Sequence, residues 1–398
     1  MPVQNSDIIE TGAGDGITFT SASQTWTVTE GVTVAANTGN AAVSTFDDAA
    51  LANYGTLVSD EGAAVRFDGE SCLLMNDDGG NVMGETGVLV NAYGGDIVND
   101  GSISGHTFGG VHFSATSEFG SVTNSGSIMG WFQGIYIESE TGKTSISNSG
   151  EITGHNQGIA QIGDAPTVVF NSGLIASTAV GIGGASIYAQ AGRMTVFNEG
   201  TLSGDVRLAD RGDRIVNNGE IYGEVDLGAG NDRFSGPRGL VDGVVSGGAG
   251  ADTLLGGVNA DRFSGGADAD LLDGLAGEDV LTGGGGGDVV RGGAGADTLL
   301  GGAGDDRVRG EAGDDLLRGG AGQDVFVFDR RGGSDTVDGF GGQDQLDFSE
   351  FGYTAEQIID LAEQIGGDVL ITLDTDESVR LTDFQVERLD TSDFIVTG

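Results

Sequence analysis

Along the second half of the chain, apolar side chains recur at every ninth position, with glycines marking the residues between them. From Gly247 the sequence divides into nine blocks of nine: GGAGADTLL, GGVNADRFS, GGADADLLD, GLAGEDVLT, GGGGGDVVR, GGAGADTLL, GGAGDDRVR, GEAGDDLLR and GGAGQDVFV. The eighth position is apolar in every block, from Leu254 and Phe263 through to Val308, Leu317 and Phe326. The last three residues of a block therefore read as a short strand whose middle side chain points inward. A flexible glycine linker has no reason to space Leu, Val and Phe this way, so the pattern predicts stacked short strands joined by tight turns.

The first half repeats as well, on a longer period. A motif Asn-x-Gly-x-(Ile/Leu/Val)-x-(Gly/Ser/Ala) starts at Asn53, Asp78 (as DGGNVMG), Asn99, Asn124, Asn148, Asn171, Asn198 and Asn217. A second apolar segment follows each motif, as in GVHF at Gly110, GIYI at Gly134 and GIAQI at Gly158. Two or three short strands per repeat, separated by turn residues, are the signature of a parallel β-helix. Asn tolerates left-handed backbone at a tight turn, and stacked amides hydrogen-bond from coil to coil, so these residues read as structural ladders. This half is similar, loosely, to the passenger repeats of large adhesins and autotransporters. The spacing from Asn198 to Asn217 approaches that of the nonapeptide coils, so the two halves read as one continuous solenoid.

The nonapeptides also carry chemistry. Position six is aspartate in every block: Asp252, Asp261, Asp270, Asp279, Asp288, Asp297, Asp306, Asp315 and Asp324. Glycines at positions one, two and four permit positive φ and let the chain turn with its carbonyls inward. Calcium takes roughly six to eight oxygen ligands, so inward carbonyls with one carboxylate make half a site. The blocks resemble the G-G-x-G-x-D-x-U-x repeat of RTX proteins. That resemblance implies that two nonapeptides form one coil, with calcium held between like turns of adjacent coils. One column would then contain Asp252, Asp270, Asp288, Asp306 and Asp324, the other Asp261, Asp279, Asp297 and Asp315, with roughly seven sites between them. Leu275 and Glu311 replace the second glycine, and Asn259 and Asp268 the fourth, so distorted or weak sites are expected at those turns. Upstream, LGAGNDRFS adds Asp232 as a further metal candidate, and LADRGDRIV with Asp213 is a weaker echo.

Charge narrows the partners. The chain has 61 acidic against 17 basic residues, a formal net charge of -44, 76 glycines and 3 prolines. Such a surface repels a polyphosphate backbone, which excludes nucleic acid. No apolar run approaches the length of a membrane span. Divalent cations are the natural counterions. Cys72 is the only cysteine and reads as a small buried apolar side chain.

After Phe328 the nonapeptides lose register, although GGSDTVDGF and GGQDQLDFS keep aspartates. A helix is expected from Thr354 to Ile365, with Thr354 and Gln357 as capping box and Gly366 as its stop. Strand-like VLITL and SVRL complete what resembles the cap of an RTX roll. The N-terminal MPVQNSDIIE has neither a basic segment nor an apolar core, which leaves either a cytoplasmic protein or one exported by a signal elsewhere. The terminal DFIVTG resembles the signal of type I secreted proteins.

The chain has no HExxH, the metalloprotease motif, and no GxSxG, the usual lipase motif. One constellation stands out. Counting seven residues on from each Asn, successive coils present His106, Trp131 and His155, with Phe132 and Phe108 beside them and Tyr136 and His112 in the next strand. Such a patch can stack on sugar rings, but side chains that merely fill a turn are the preferred reading of the sequence alone.

The sequence thus predicts an all-β fold: a parallel β-helix (1–225) continuing into a calcium-binding RTX β-roll (226–328), then a small C-terminal cap with one helix and the secretion signal (329–398). The expected function is that of a secreted calcium-binding structural, adhesive or surface-layer protein, folded and assembled by calcium. Its expected partners are calcium ions, further copies of itself in sheets or filaments, and a surface polysaccharide. The alternative is a polysaccharide lyase or epimerase with its site near His106, Trp131, His155 and Lys143.

Overall fold

A computed structural model describes residues 3–4, 8–13, 16–19, 24–91, 93–179, 184–374 and 377–397. They fall into two compact units, Met1–Glu224 and Val225–Gly398.

The first unit is a parallel β-helix with three strands per coil. A representative coil contains Phe119–Asn124, Ser127–Gly130 and Gln133–Ile137. Each pairs in register with its counterparts on neighbouring coils, so Val122 lies between Ile97 and Ile146, and Ile128 between Ile103 and Ile152. Ile135 lies between Val111 and Ile159 on the third side. All nine are fully buried. Branched side chains dominate these columns because they pack well on a pleated surface and keep few rotamers.

The Asn motif ends the first strand of each coil. Its amides form an unbroken buried ladder: Asn53, Asn76, Asn99, Asn124, Asn148, Asn171, Asn198 and Asn217, each Nδ2 donating to the next Oδ1 at 2.7–2.9 Å. Two expectations are corrected here. The ladder member of the second repeat is Asn76, not Asp78, because Asp78 and Gly79 are inserted ahead of the motif glycine, Gly80. None of the ladder Asn residues has positive φ; they sit in extended strand ends with inward side chains. The glycine two positions on is required for space, since a Cβ at Gly126 would stand 2.1 Å from the Gly101 carbonyl oxygen.

The second unit is a roll with two strands per coil and a repeat of 18 residues. One sheet runs Arg233–Ser235, Thr253–Gly257, Leu271–Ala276, Val289–Ala294, Arg307–Ala312, Val325–Val327 and Gln345–Asp347. The other runs Val225–Asp226, Val245–Ala249, Arg262–Ala267, Val280–Gly285, Thr298–Ala303, Leu316–Ala321 and Ser334–Val337. The position-eight side chains, Leu254 to Phe326, fill the space between them and are buried throughout. The predicted β-helix, roll and single α-helix near the C-terminus are what the chain forms.

Both roll sheets are finished by strands from the C-terminal segment. Glu377–Leu381 pairs with Ser334–Val337, and Phe394–Ile395 pairs with Gln345–Asp347. The helix, α1 (Ala355–Leu361), starts at the expected Thr354–Gln357 capping box but is shorter than expected. Ala362–Ile365 is a strand, paired antiparallel with Asp368–Asp374 across a two-residue turn at Gly366 and Gly367. Gly366, at φ 68°, supplies the left-handed residue such hairpins require. Ile365, expected on the buried helix face, is 45% exposed at this turn. Cys72 is buried, and burial pushes its thiol pKa up, consistent with an inert side chain.

Candidate metal sites

The nonapeptide aspartates are built into the roll by a main-chain contact. The backbone N–H of each donates to Oδ1 of the aspartate one coil later: Asp252 to Asp270, Asp270 to Asp288, Asp288 to Asp306, and Asp306 to Asp324. The second column repeats this from Asp261 through Asp279 and Asp297 to Asp315. The structure thus sorts the predicted residues into the two predicted columns. The N–H of Asp232 donates likewise to Asp252, at 2.7 Å.

One carboxylate oxygen per residue is spoken for; the other is not. Oδ2 of Asp252, Asp270, Asp279, Asp288, Asp297, Asp306, Asp315 and Asp324 is buried without a hydrogen-bond partner. A buried anionic oxygen left in this state is strongly unfavourable, and native proteins keep few such groups without a ligand. The position-one glycines explain where these oxygens face. A Cβ at Gly265, Gly283 or Gly301 would stand 2.4 Å from Oδ2 of Asp270, Asp288 or Asp306. At Gly265 the same atom would stand 2.6 Å from the Gly283 carbonyl oxygen. Each turn therefore holds a small space bounded by a carboxylate oxygen and glycine carbonyl oxygens.

This corrects the expected role of the glycines. Positions two and four take positive φ, as at Gly284 and Gly286, at every turn but that of Gly257 and Asn259, and no position-one glycine does. Position one is glycine because a side chain would fill the space in front of the carboxylate. Of the four irregular turn residues, Leu275, Glu311 and Asp268 adopt φ of 71–72° and keep the regular path. Asn259 does not, and in that turn the N–H of Gly257 donates to Oδ2 of Asp261 at 3.0 Å. Asp261 is thus the nonapeptide aspartate whose second oxygen already has a partner.

Two further aspartates join the columns. Asp315 N–H donates to Asp335, and Asp324 N–H donates to Asp344, each at 3.1 Å. The shortened Gly-Gly-x-Asp segments carried this signal even though the nine-residue register is lost.

Among the described residues, no group of three or more His, Cys, Asp or Glu side chains is placed to hold a metal ion. A cation in these turns must draw most of its ligands from main-chain carbonyls. Such a donor set, all oxygen and mostly neutral, suits a hard cation of high coordination number, which is calcium.

Burial and the neighbouring carboxylates raise the aspartate pKa values, to about 7 for Asp261 and Asp270 and about 6 for Asp297, Asp306 and Asp315. An unfolded aspartate titrates near ~3.9. Between these values the metal-free roll binds more protons than the unfolded chain, so its stability falls as pH rises from about 4 to 7. A bound cation holds the carboxylates ionised and reverses the sign. In calcium-free buffer the roll should be better protected from amide exchange at pH 5 than at pH 8; in calcium, pH 8 should be the more protective. Equal protection at both pH values without calcium would refute the account.

The predicted aromatic patch is only partly assembled. His106, Trp131 and His155 line one groove on the β-helix, whereas Phe132 and Tyr136 are not among its walls. Tyr136 lies on a strand of the third side, its ring 5.0 Å from that of His112, whose Nε2 is 3.1 Å from Glu138. The third histidine is therefore engaged elsewhere.

A family model for the RTX calcium-binding nonapeptide repeat (four copies) matches residues 242–272, 256–290, 264–299, 291–326 and 331–351. The last match includes Asp335 and Asp344. These segments are RTX repeats, and calcium is the ion that the family binds. No curated protein matches the chain.

Proposed function

We propose that this protein is an extracellular structural or adhesive protein, exported by a type I route and folded by calcium once outside the cell. The observation that carries the reading is the row of eight buried Oδ2 atoms with no protein partner. A roll built this way is poorly stable without its ion. Extracellular calcium modules bind at roughly 10⁻⁴ to 10⁻³ M, far above cytosolic calcium. The roll therefore stays unfolded inside the cell, in a state fit for export, and folds in the medium. The rest of the molecule fits a scaffold: coils stacked on a buried core within each unit, and a net charge of -44 that keeps it soluble. No helix among the described residues is long and apolar enough to cross a membrane.

Location is the direct test. Protease added to intact producing cells, or to their cleared medium, should digest the protein, and brief chelator treatment should speed cleavage within residues 247–346. Protein that is cleaved only after cell lysis would overturn the extracellular reading and leave calcium binding untouched.

A further inference from the structure

In the β-helix, Gly105, Gly130 and Gly154 close successive strands in register. The residue after each is His106, Trp131 and His155, so three aromatic side chains leave equivalent backbone positions on successive coils, whose strands lie about 4.8 Å apart. Trp131 and His155 are stacked, with centroids 6.3 Å apart and planes 26° from parallel. Trp131 is 61% exposed, and Met129 beside it 52%. With Glu151 and Thr153 these residues line an open groove of about 450 Å³.

The polar groups of the groove are positioned and incompletely used. Thr107 Oγ1 lies 3.2 Å from Nδ1 of His106, and Thr178 Oγ1 lies 3.4 Å from Nδ1 of His155. Those contacts engage Nδ1 of each imidazole. Thr153 is 5% exposed, yet its Oγ1 has no hydrogen-bond partner. That hydroxyl is closed to solvent, so the groups able to reach a ligand are the exposed Glu151, His106 and His155.

We propose that this groove binds an uncharged glycan, with Trp131 as the stacking platform and Glu151 and the two imidazoles as partners for sugar hydroxyls. One large aromatic surface rimmed by hydroxyl, carboxylate and imidazole suits a ligand with an apolar ring face and a polar edge. Three rings in line suit a short oligosaccharide better than a single sugar. Glu151 and the acidity of the chain disfavour polyuronates and other anionic glycans. The inference deepens the adhesive reading, but the groove lies wholly within the first unit, so its binding does not depend on calcium.

The test is a fluorescence titration of the full-length protein with cellohexaose, maltohexaose and chitohexaose, with polygalacturonate as the acidic control, in calcium and again in chelator. At least one neutral hexasaccharide should give a saturable change under both conditions. Trp131→Ala should weaken that binding about tenfold or more, and Glu151→Ala should weaken it with the unfolding midpoint unchanged. Trp26→Phe should leave it intact. No saturable binding to any of the three overturns the proposal, as does binding to polygalacturonate alone or undiminished binding by Trp131→Ala. Failure here with calcium-dependent protection of the roll retained would remove the ligand and keep the calcium-folded scaffold.

Discussion

In calcium-free buffer at neutral pH, residues 247–346 should exchange their amide hydrogens freely, and millimolar calcium should protect them, while the β-helix is protected in both. Without the ion, Asp270, Asp288 and Asp306 present buried oxygens that lack partners, in a column where like charges follow one another at 18-residue intervals. An ion that binds only the folded state stabilises it by RT ln(1 + [Ca]/Kd), about 1.4 kcal/mol per site at tenfold excess. Roughly seven sites would supply on the order of 10 kcal/mol, the size of a whole domain's stability. Two substitutions make the effect local. Asp288→Ala, in mid-column, should weaken the two turns it touches. Gly301→Ala places a methyl 2.4 Å from Oδ2 of Asp306 and should lower calcium stoichiometry by about one. Full protection of 247–346 in excess chelator at neutral pH would sink the switch, though not the fold.

Much of this was legible because repetition averages out local ambiguity. One Gly-Gly-x-Gly-x-Asp turn could be many things; nine in phase fix the period, the strand and the column to which each aspartate belongs. The misreadings occur where repetition fails. The second repeat points to Asp78 when aligned on its glycine, because the inserted Asp78–Gly79 pair separates the ladder residue Asn76 from Gly80. Asp335 and Asp344 lie past the point where the nine-residue register is lost, yet their carboxylates accept the same N–H contact across 20 residues instead of 18. Sequence cannot tell a glycine needed for φ from one needed for space, so the role of Gly283 or Gly301 emerges only from its distance to a carboxylate. Over Thr354 to Ile365 the apolar spacing suited a helix, and the Gly366–Gly367 hairpin overrode it from Ala362 onward.

Substituting one rung of the asparagine ladder should destabilise the β-helix by about 3 kcal/mol and leave calcium binding unaltered. Asn124 shows why. Its Nδ2 donates to Asn148 Oδ1 at 2.8 Å and approaches the carbonyl oxygens of Gly126 and Glu151 at 3.2 and 3.1 Å. Its own Oδ1 accepts from Asn99 at 2.7 Å. Asn124→Ala removes those bonds and strands polar atoms on both adjacent coils in a site closed to water, at roughly 1–3 kcal/mol for each group left unsatisfied. Asn124→Asp keeps the volume but sets a carboxylate oxygen where a donor is needed, facing Asn148 Oδ1, so it should be no less damaging. Because each coil touches only its neighbours, protection should be lost mainly around Gly95–Asn99, Phe119–Asn124 and Lys143–Asn148. Hydrogen exchange of the full chain in calcium reads this directly. An unchanged exchange pattern and denaturation midpoint in both variants would show that the amides stack without stabilising, and that the buried columns of Val, Ile and Leu alone hold the coils together.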